Sequence, residues 1–71
     1  MKATAAALLR QAVRDQHGNE TFEKSLGRVV RQEHGTFEDY MGLIARVRKR
    51  AERDGQGLVA AARALAAEGA D

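Results

Sequence analysis

The amino-acid sequence predicts an all-α protein, a compact bundle of three main helices with a short fourth helix at its C-terminal end. The 71-residue chain contains no proline, and its apolar residues recur at helical spacing in four segments. Glycines follow the first three segments, where a helix commonly ends with a left-handed glycine. We therefore expect one domain, 1–71, with helices over about 3–17, 20–34, 37–54 and 58–68.

The first two predicted helices are amphipathic and end at glycines. The apolar side of the first helix includes Leu9, Ala12 and Val13. The apolar residues of the second helix stand at i, i+4, i+7 and i+8, and they are Phe22, Leu26, Val29 and Val30. Gly18 and Gly35 are the expected C-caps of these helices, and Asn19 or Thr21 can cap the start of the second.

The third predicted helix is the longest and has two contrasting faces. Thr36 followed by Asp39 predicts a capping box at its start, and Gly55 is its expected C-cap. Its apolar face is predicted to be a core stripe, formed by Phe37, Tyr40, Met41, Ile44, Val47 and Ala51 with Leu43 at the edge. The opposite side carries a cluster of cations that we call the basic face: Arg46, Lys49, Arg50 and Arg53.

The fourth predicted helix is short and rich in alanine. Its apolar side is suited to close packing but anchors weakly, because it consists of Leu58, Ala61, Ala62 and Leu65. The whole chain is 44% hydrophobic, and much of that fraction is alanine. A core of this size is only marginally sufficient for a chain of this length, so self-association or a bound partner is an open alternative to a stable monomer.

Several classes of function find no support in the composition. The chain has no cysteine, and no apolar run approaches 18 residues, so we expect a soluble, cytoplasmic protein without disulfides. His17 and His34 stand at predicted helix ends, where a histidine complements the helix dipole. Ser25 is the only serine, and no nucleophile–base or metal-ligand spacing is present. We therefore predict no catalytic residues, metal, cofactor or small-molecule substrate.

The basic face is the most informative feature for function. Lys24, Arg28 and Arg31 of the second helix are expected to extend it, and arginine suits bidentate contacts with phosphate or carboxylate. The alternative is a solvated surface near a helix C-terminus, which Glu52 and Asp54 partly neutralise. A net charge of only +2 is below the excess expected of a strong non-specific nucleic-acid binder.

Arg48 is a separate candidate, because it projects within the apolar arc of the third helix near Phe37 and Met41. It either extends past the end of the core or faces a partner. Tyr40, Leu43 and Val47 would then form an apolar interface beside it; Tyr40 and Leu43 flank the stripe and resemble interface anchors in type.

Two hypotheses of function follow. The first is a small protein-interaction module, an adaptor, inhibitor or regulatory subunit that binds a protein partner, or a second copy, through one helical face. The alternative is a nucleic-acid-binding regulator that uses the basic face. A standard helix-turn-helix with its turn at Gly35 is disfavoured, because His34 and Thr36 fall where apolar residues are required. Binding to a membrane surface is not expected, because glutamates interrupt the cationic arcs.

Overall fold

A computed structural model describes residues 3–69 of the chain, and these residues form four α-helices and no strand. This confirms the all-α prediction. The helices are α1 (Ala5–Arg14), α2 (Phe22–Gln32), α3 (Phe37–Asp54) and α4 (Leu58–Ala67). The third helix has the predicted bounds, whereas α1 and α2 are shorter at both ends than expected. The fourth helix has 10 residues, the same length as α1.

The helices form a closed ring in which α1 and α3 each pack against both α2 and α4. One core lies inside this ring, and its largest fully buried apolar side chains are Leu8, Leu9, Leu26, Ile44, Val29, Val30 and Val47. The fully buried residues of the fourth helix are Ala61, Ala62 and Ala66, and its larger apolar residues Leu58, Val59 and Leu65 pack against the core while only partly buried. Small side chains permit its close approach to both neighbours but bury little area, as its sequence predicts.

Threonines cap the starts of the first three helices. The hydroxyls of Thr4, Thr21 and Thr36 each accept a hydrogen bond from the backbone N–H three residues later. At α3 the carboxylate of Asp39 also accepts from the backbone N–H of Thr36, so the predicted capping box is present. The fourth helix starts at Gly57, which has no side chain to cap it.

The predicted end of the first helix at Gly18 is wrong. The helix ends at Arg14, and Gly18 does not have a positive φ. The loop that follows is held by tertiary contacts, because the Arg28 guanidinium donates to the backbone oxygen of Asp15 at 2.8 Å. The Glu20 carboxylate accepts from the backbone N–H of His17 at 3.1 Å. These bonds stabilise an irregular loop that the sequence pattern alone does not predict.

The predicted glycine C-cap of the second helix is also wrong, because His34 takes the left-handed position. Its φ is 61°, and the backbone N–H of Gly35 donates to the oxygen of Val30 at 2.8 Å. The N–H of His34 donates to the oxygen of Arg31 at 3.0 Å. This pair of bonds is a Schellman motif with histidine where glycine is usual. Gly55 adopts the left-handed conformation at the end of α3, as predicted.

The predicted core stripe of α3 is partly wrong, because Phe37 and Met41 lie outside the core. Phe37 is 73% exposed and Met41 is 44% exposed. The buried residues of α3 are Leu43, Ile44, Val47 and Ala51. Because α3 packs against both α2 and α4, the part of its apolar face that includes Val47 is buried. The edge of that face that includes Phe37 remains exposed to solvent. Within residues 3–69 no helix is both long and apolar enough to cross a membrane.

Candidate interaction surface

A groove of about 400 Å³ lies between α2 and α3, and we call it the α2–α3 groove. Its lining comprises Glu23, Lys24, Gly27, Val30 and Arg31 of α2, with Thr36, Phe37 and Tyr40 at the start of α3. Gly27 faces Tyr40, and Glu23 forms an ion pair with Arg48 further along α3. These contacts run in opposite directions along the two helices, so α2 and α3 are antiparallel.

Gly27 forms part of the groove wall because it has no side chain. A Cβ atom at this position would lie 3.7 Å from Cε1 of Tyr40, an ordinary van der Waals distance. The backbone of α2 is therefore open to the groove at this level, beside the half-buried tyrosine ring. Glycine inside a helix costs roughly 0.5–1 kcal/mol relative to alanine, so the open wall has an energetic cost.

Two exposed apolar side chains lie near the start of α3, and one of them, Phe37, lines the groove. Phe37 and Met41 are the large hydrophobic residues that are exposed in the described part of the chain. The rings of Phe37 and Tyr40 are tilted by 33° with their centroids 6.1 Å apart, which is within the range of favourable aromatic pairs. Clustered exposed apolar groups next to a concave surface are typical of protein-binding sites.

Two cations stand at the α2 side of the groove. Lys24 and Arg31 are exposed, and neither forms an ion pair with any residue between 3 and 69. The acidic lining residue, Glu23, is engaged by Arg48, whose Nη2 lies 3.6 Å from Oε2 of the glutamate. Arg48 thus reaches from the exposed edge of α3 across to α2. Counting residues 3–69, the lining of the groove therefore carries a net positive charge.

The structure changes the composition of the predicted apolar interface. Leu43 is 6% exposed and Val47 is 0% exposed, so both belong to the core of this fold. Tyr40 is half-buried and lines the α2–α3 groove. The exposed neighbours of Tyr40 are Phe37 and Met41, which the helical spacing assigned to the core. An apolar surface is present on α3, but it is rotated towards α2.

The basic face is partly neutralised by acidic side chains at the C-terminal ends of α3 and α4. The Arg50 guanidinium bridges the carboxylates of Asp54 and Glu68, and Nε of Arg53 lies 2.8 Å from Oδ1 of Asp54. Hydrogen bonds from Arg53 and Arg50 lower the pKa of Asp54 to about 2. The hydrogen bond from Arg50 lowers the pKa of Glu68, and the same contacts raise the pKa of Arg50.

The predicted cations are not brought together into one patch. The basic face lines a shallow groove of about 220 Å³ beside Leu65 of α4. Lys24 and Arg31 line the α2–α3 groove instead. Arg28 forms an ion pair with Glu20, whose side chain is 8% exposed, and this pair stabilises the loop between α1 and α2. That ion pair lowers the pKa of Glu20 and raises the pKa of Arg28.

The only serine is held in the core, and both histidines lie outside the helices. Ser25 is fully buried, and its hydroxyl donates to the backbone oxygen of Ala12 at 2.7 Å, which joins α2 to α1. His17 lies in the loop between α1 and α2, whereas His34 follows the end of α2. Within residues 3–69 no group of three or more histidine, aspartate or glutamate side chains is placed to hold a metal ion.

Comparison with protein-family models, curated proteins and solved structures finds no match to this chain.

Sequence reasoning missed Gly27 and the exposure of Phe37 and Met41. The sequence does contain one indication for Gly27. A glycine in the interior of a strongly amphipathic helix lowers helix stability, which suggests a packing or functional role. For Phe37 and Met41 no comparable signal exists, since their spacing is that of core residues.

Proposed function

We propose that this protein is a helical interaction module, an adaptor, inhibitor or regulatory subunit, that binds a protein partner in the α2–α3 groove. The observation that carries the proposal is the 73% exposure of Phe37, which lines this groove, with Met41 one helical turn further along α3 also exposed at 44%. Exposing such side chains to water is unfavourable, and binding a partner would remove that cost. Aromatic and methionine side chains are also enriched at protein interfaces.

Rigid surroundings support the proposal. Tyr40 packs on the core from the side of the groove, and α3 is held at its start by the capping box of Thr36 and Asp39. Phe37 is the first residue of this capped helix, so its backbone is held by the capping hydrogen bonds. Binding through Phe37 then restricts only a short side chain and no further backbone, which keeps the entropic cost of binding small.

Differential capture from lysate of the source cell tests the proposal. Phe37→Ser removes the exposed ring, and Arg63→Ser introduces the same residue at an exposed position of α4 as the matched control. We expect a specific protein to be retained by the wild type and the control and lost with Phe37→Ser, while circular dichroism shows all three equally folded. Equal capture by all three variants would contradict the proposal.

A second copy of this chain is another protein that the groove can accept. Light scattering of the purified protein distinguishes this case, because a dimer that Phe37→Ser converts to a monomer would identify the partner as the chain itself. A dimer that persists in Phe37→Ser would place self-association elsewhere and separate it from the groove.

Nucleic-acid binding by the basic face is the second candidate function. The observation in its favour is that Lys49 is exposed, lies among three arginines, and forms no ion pair with residues 3–69. Against it, Arg50 and Arg53 are engaged by carboxylates, and phosphate would have to compete with these pairs. The interaction module is therefore the first proposal.

Fluorescence anisotropy with a mixed-sequence DNA duplex tests the second candidate. If it is correct, affinity falls steeply between 50 and 200 mM salt, by about tenfold or more when several phosphates are neutralised. Lys49→Ala should weaken binding similarly for all sequences, and it leaves the bridge between Arg50 and Glu68 intact. No duplex binding at low salt would exclude the binding of duplex DNA by this face.

A further inference from the structure

We infer that the occupant of the α2–α3 groove is an acidic amphipathic helix of a partner protein, with its carboxylates placed against Lys24 and Arg31. This inference rests on the proposed function and specifies the chemistry of the partner. Charge complementarity favours such an occupant, at a groove that already has an apolar component.

The charges at the groove favour an acidic occupant. Lys24 and Arg31 line it without an ion pair in the described part of the chain, whereas Glu23 is already paired with Arg48. Two cations are thus left uncompensated beside an apolar surface. A basic occupant would be repelled here, and a neutral one would leave both cations without a partner.

The spacing of the two cations matches a helix. Lys24 and Arg31 are seven residues apart on α2, a rise of about 10.5 Å along the helix axis. Two carboxylates seven residues apart on a partner helix have the same separation. Apolar residues at intermediate positions of that helix, three or four residues from each carboxylate, would face the groove.

The apolar contacts of such a helix are supplied by α3 and by the glycine opening. Phe37 is exposed at the mouth of the groove, and Gly27 has no side chain between the α2 backbone and the Tyr40 ring. Small residues at a helix contact permit close approach, so a partner helix can lie near the α2 backbone at Gly27. This combination fits one helix between α2 and α3 better than an extended strand, because the groove has no sheet edge to pair with.

Selection from a displayed library of 16-residue helical peptides tests the inference. The library keeps leucines on one face and randomises the flanking positions among Glu, Gln and Lys. Binders are kept if Phe37→Ser abolishes their binding, and their affinities are then measured by fluorescence anisotropy. We expect the kept peptides to carry glutamates seven residues apart.

Charge-reversal variants identify where the glutamates bind. Lys24→Glu/Arg31→Glu should weaken the selected acidic peptide by at least roughly tenfold, with a smaller effect at high salt. Lys49→Glu/Arg63→Glu changes the net charge equally at two exposed positions outside the groove, and it should leave affinity within about twofold. Peptides with lysine in place of glutamate should bind Lys24→Glu/Arg31→Glu better than they bind the wild type.

The failures of the two proposals are distinguishable. Peptides that need Phe37 but are neutral or basic, or that are insensitive to Lys24→Glu/Arg31→Glu, would overturn the acidic-helix inference and leave the groove as a binding site. A library with no peptide that depends on Phe37 would overturn the groove and the inference together. Lys24→Gln/Arg31→Gln should show an intermediate loss and provides the test if charge reversal unfolds the protein.

Discussion

At the C-terminal end of α2, His34 has a backbone conformation that glycine adopts more readily. Its φ of 61° lies in the left-handed region, where a side chain costs about 1–2 kcal/mol. The residue is exposed, so no buried contact of its ring is available to offset this cost. The Schellman hydrogen bonds of Gly35 and His34 keep the chain in this conformation and set the direction in which α3 begins.

His34→Gly should therefore stabilise the protein. Glycine removes the cost of the left-handed conformation but gives the unfolded chain more freedom, which costs about 0.4–1 kcal/mol. The expected net gain is about 0.5–1 kcal/mol in the free energy of unfolding, measured by urea denaturation. His17→Gly is the control, because His17 has no positive φ and should gain nothing.

Gly27 is a second residue whose conformational cost points to a role in the folded protein. We expect Gly27→Ala and Gly42→Ala each to raise the free energy of unfolding by about 0.5–1 kcal/mol, because both glycines lie inside helices with room for a methyl group. Only the methyl group at position 27 contacts Tyr40 and narrows the groove. Gly27→Ala should therefore weaken partner binding while Gly42→Ala does not. A destabilised Gly27→Ala variant would contradict the space seen beside Tyr40.

Among the helices, α4 is held by polar contacts at its C-terminal end in addition to its apolar face. Its fully buried residues are alanines, its larger apolar residues are only partly buried, and its N-cap, Gly57, has no side chain to form a capping bond. The Arg10 guanidinium donates to the backbone oxygen of Ala66 at 3.0 Å, and Arg50 joins Glu68 to α3. These contacts bind α4 to both neighbouring helices. Its docking should therefore be sensitive to the charge of Glu68.

Lowering the pH should undock α4 from α1 and α3 before the other helices separate. The pKa values of Glu68 and Asp54 are lower in the folded protein than their ordinary values of 4.5 and 3.8, and for Asp54 the folded value is about 2. The stability that these two carboxylates contribute is therefore fully present at pH values above their ordinary pKa values. It is lost as the pH falls through their lower pKa values in the folded protein. Hydrogen exchange of α4 amides between pH 7 and pH 2, corrected for intrinsic rates, measures this loss.

Glu68→Gln is the matched variant for that experiment. In this variant the α4 amides should exchange faster than in the wild type at pH 7. Their exchange rate should then change less on acidification. Glu20 and Asp39 also have lowered pKa values, so the variant still loses some global stability in acid. Unchanged α4 protection in Glu68→Gln would mean that apolar packing alone docks the helix.

At the scale of the whole molecule, the residues that hold the fold are separate from those that form the proposed surface. Leu26 is fully buried between the helices, whereas Phe37 is mostly exposed. A domain of this size has a stability of only a few kcal/mol to about 15 kcal/mol, so one core truncation removes a large part of it. The exposed ring contributes little to that total.

Leu26→Ala should lower the free energy of unfolding by about 2–5 kcal/mol, enough to unfold much of the population at elevated temperature. Phe37→Ala should change it by less than about 0.5 kcal/mol. Thermal denaturation of both variants beside the wild type checks this contrast. A loss of several kcal/mol in Phe37→Ala would show that the ring supports the fold and would weaken its assignment to an interface.

Local patterns in the sequence were sufficient for part of this structure. The bounds of α3 follow from Thr36, Asp39 and Gly55, because a capping box and a left-handed glycine act within a few residues of each other. The all-α class follows from helical spacing in the same way. Such features depend on contacts along one turn of the chain, and these are readable without the rest of the molecule.

The tertiary structure decided which part of each apolar arc is buried and which cations are neutralised. Phe37 and Val47 both belong to the apolar face that helical spacing predicts for α3. Only Val47 is buried inside the four packed helices. Arg50 and Lys49 are adjacent, yet only Arg50 meets Glu68, a partner 18 residues away. Local features of the sequence specify the helices and their amphipathic character. The surface depended on how four helices pack, because contacts between distant residues select one arrangement from several that the local pattern allows.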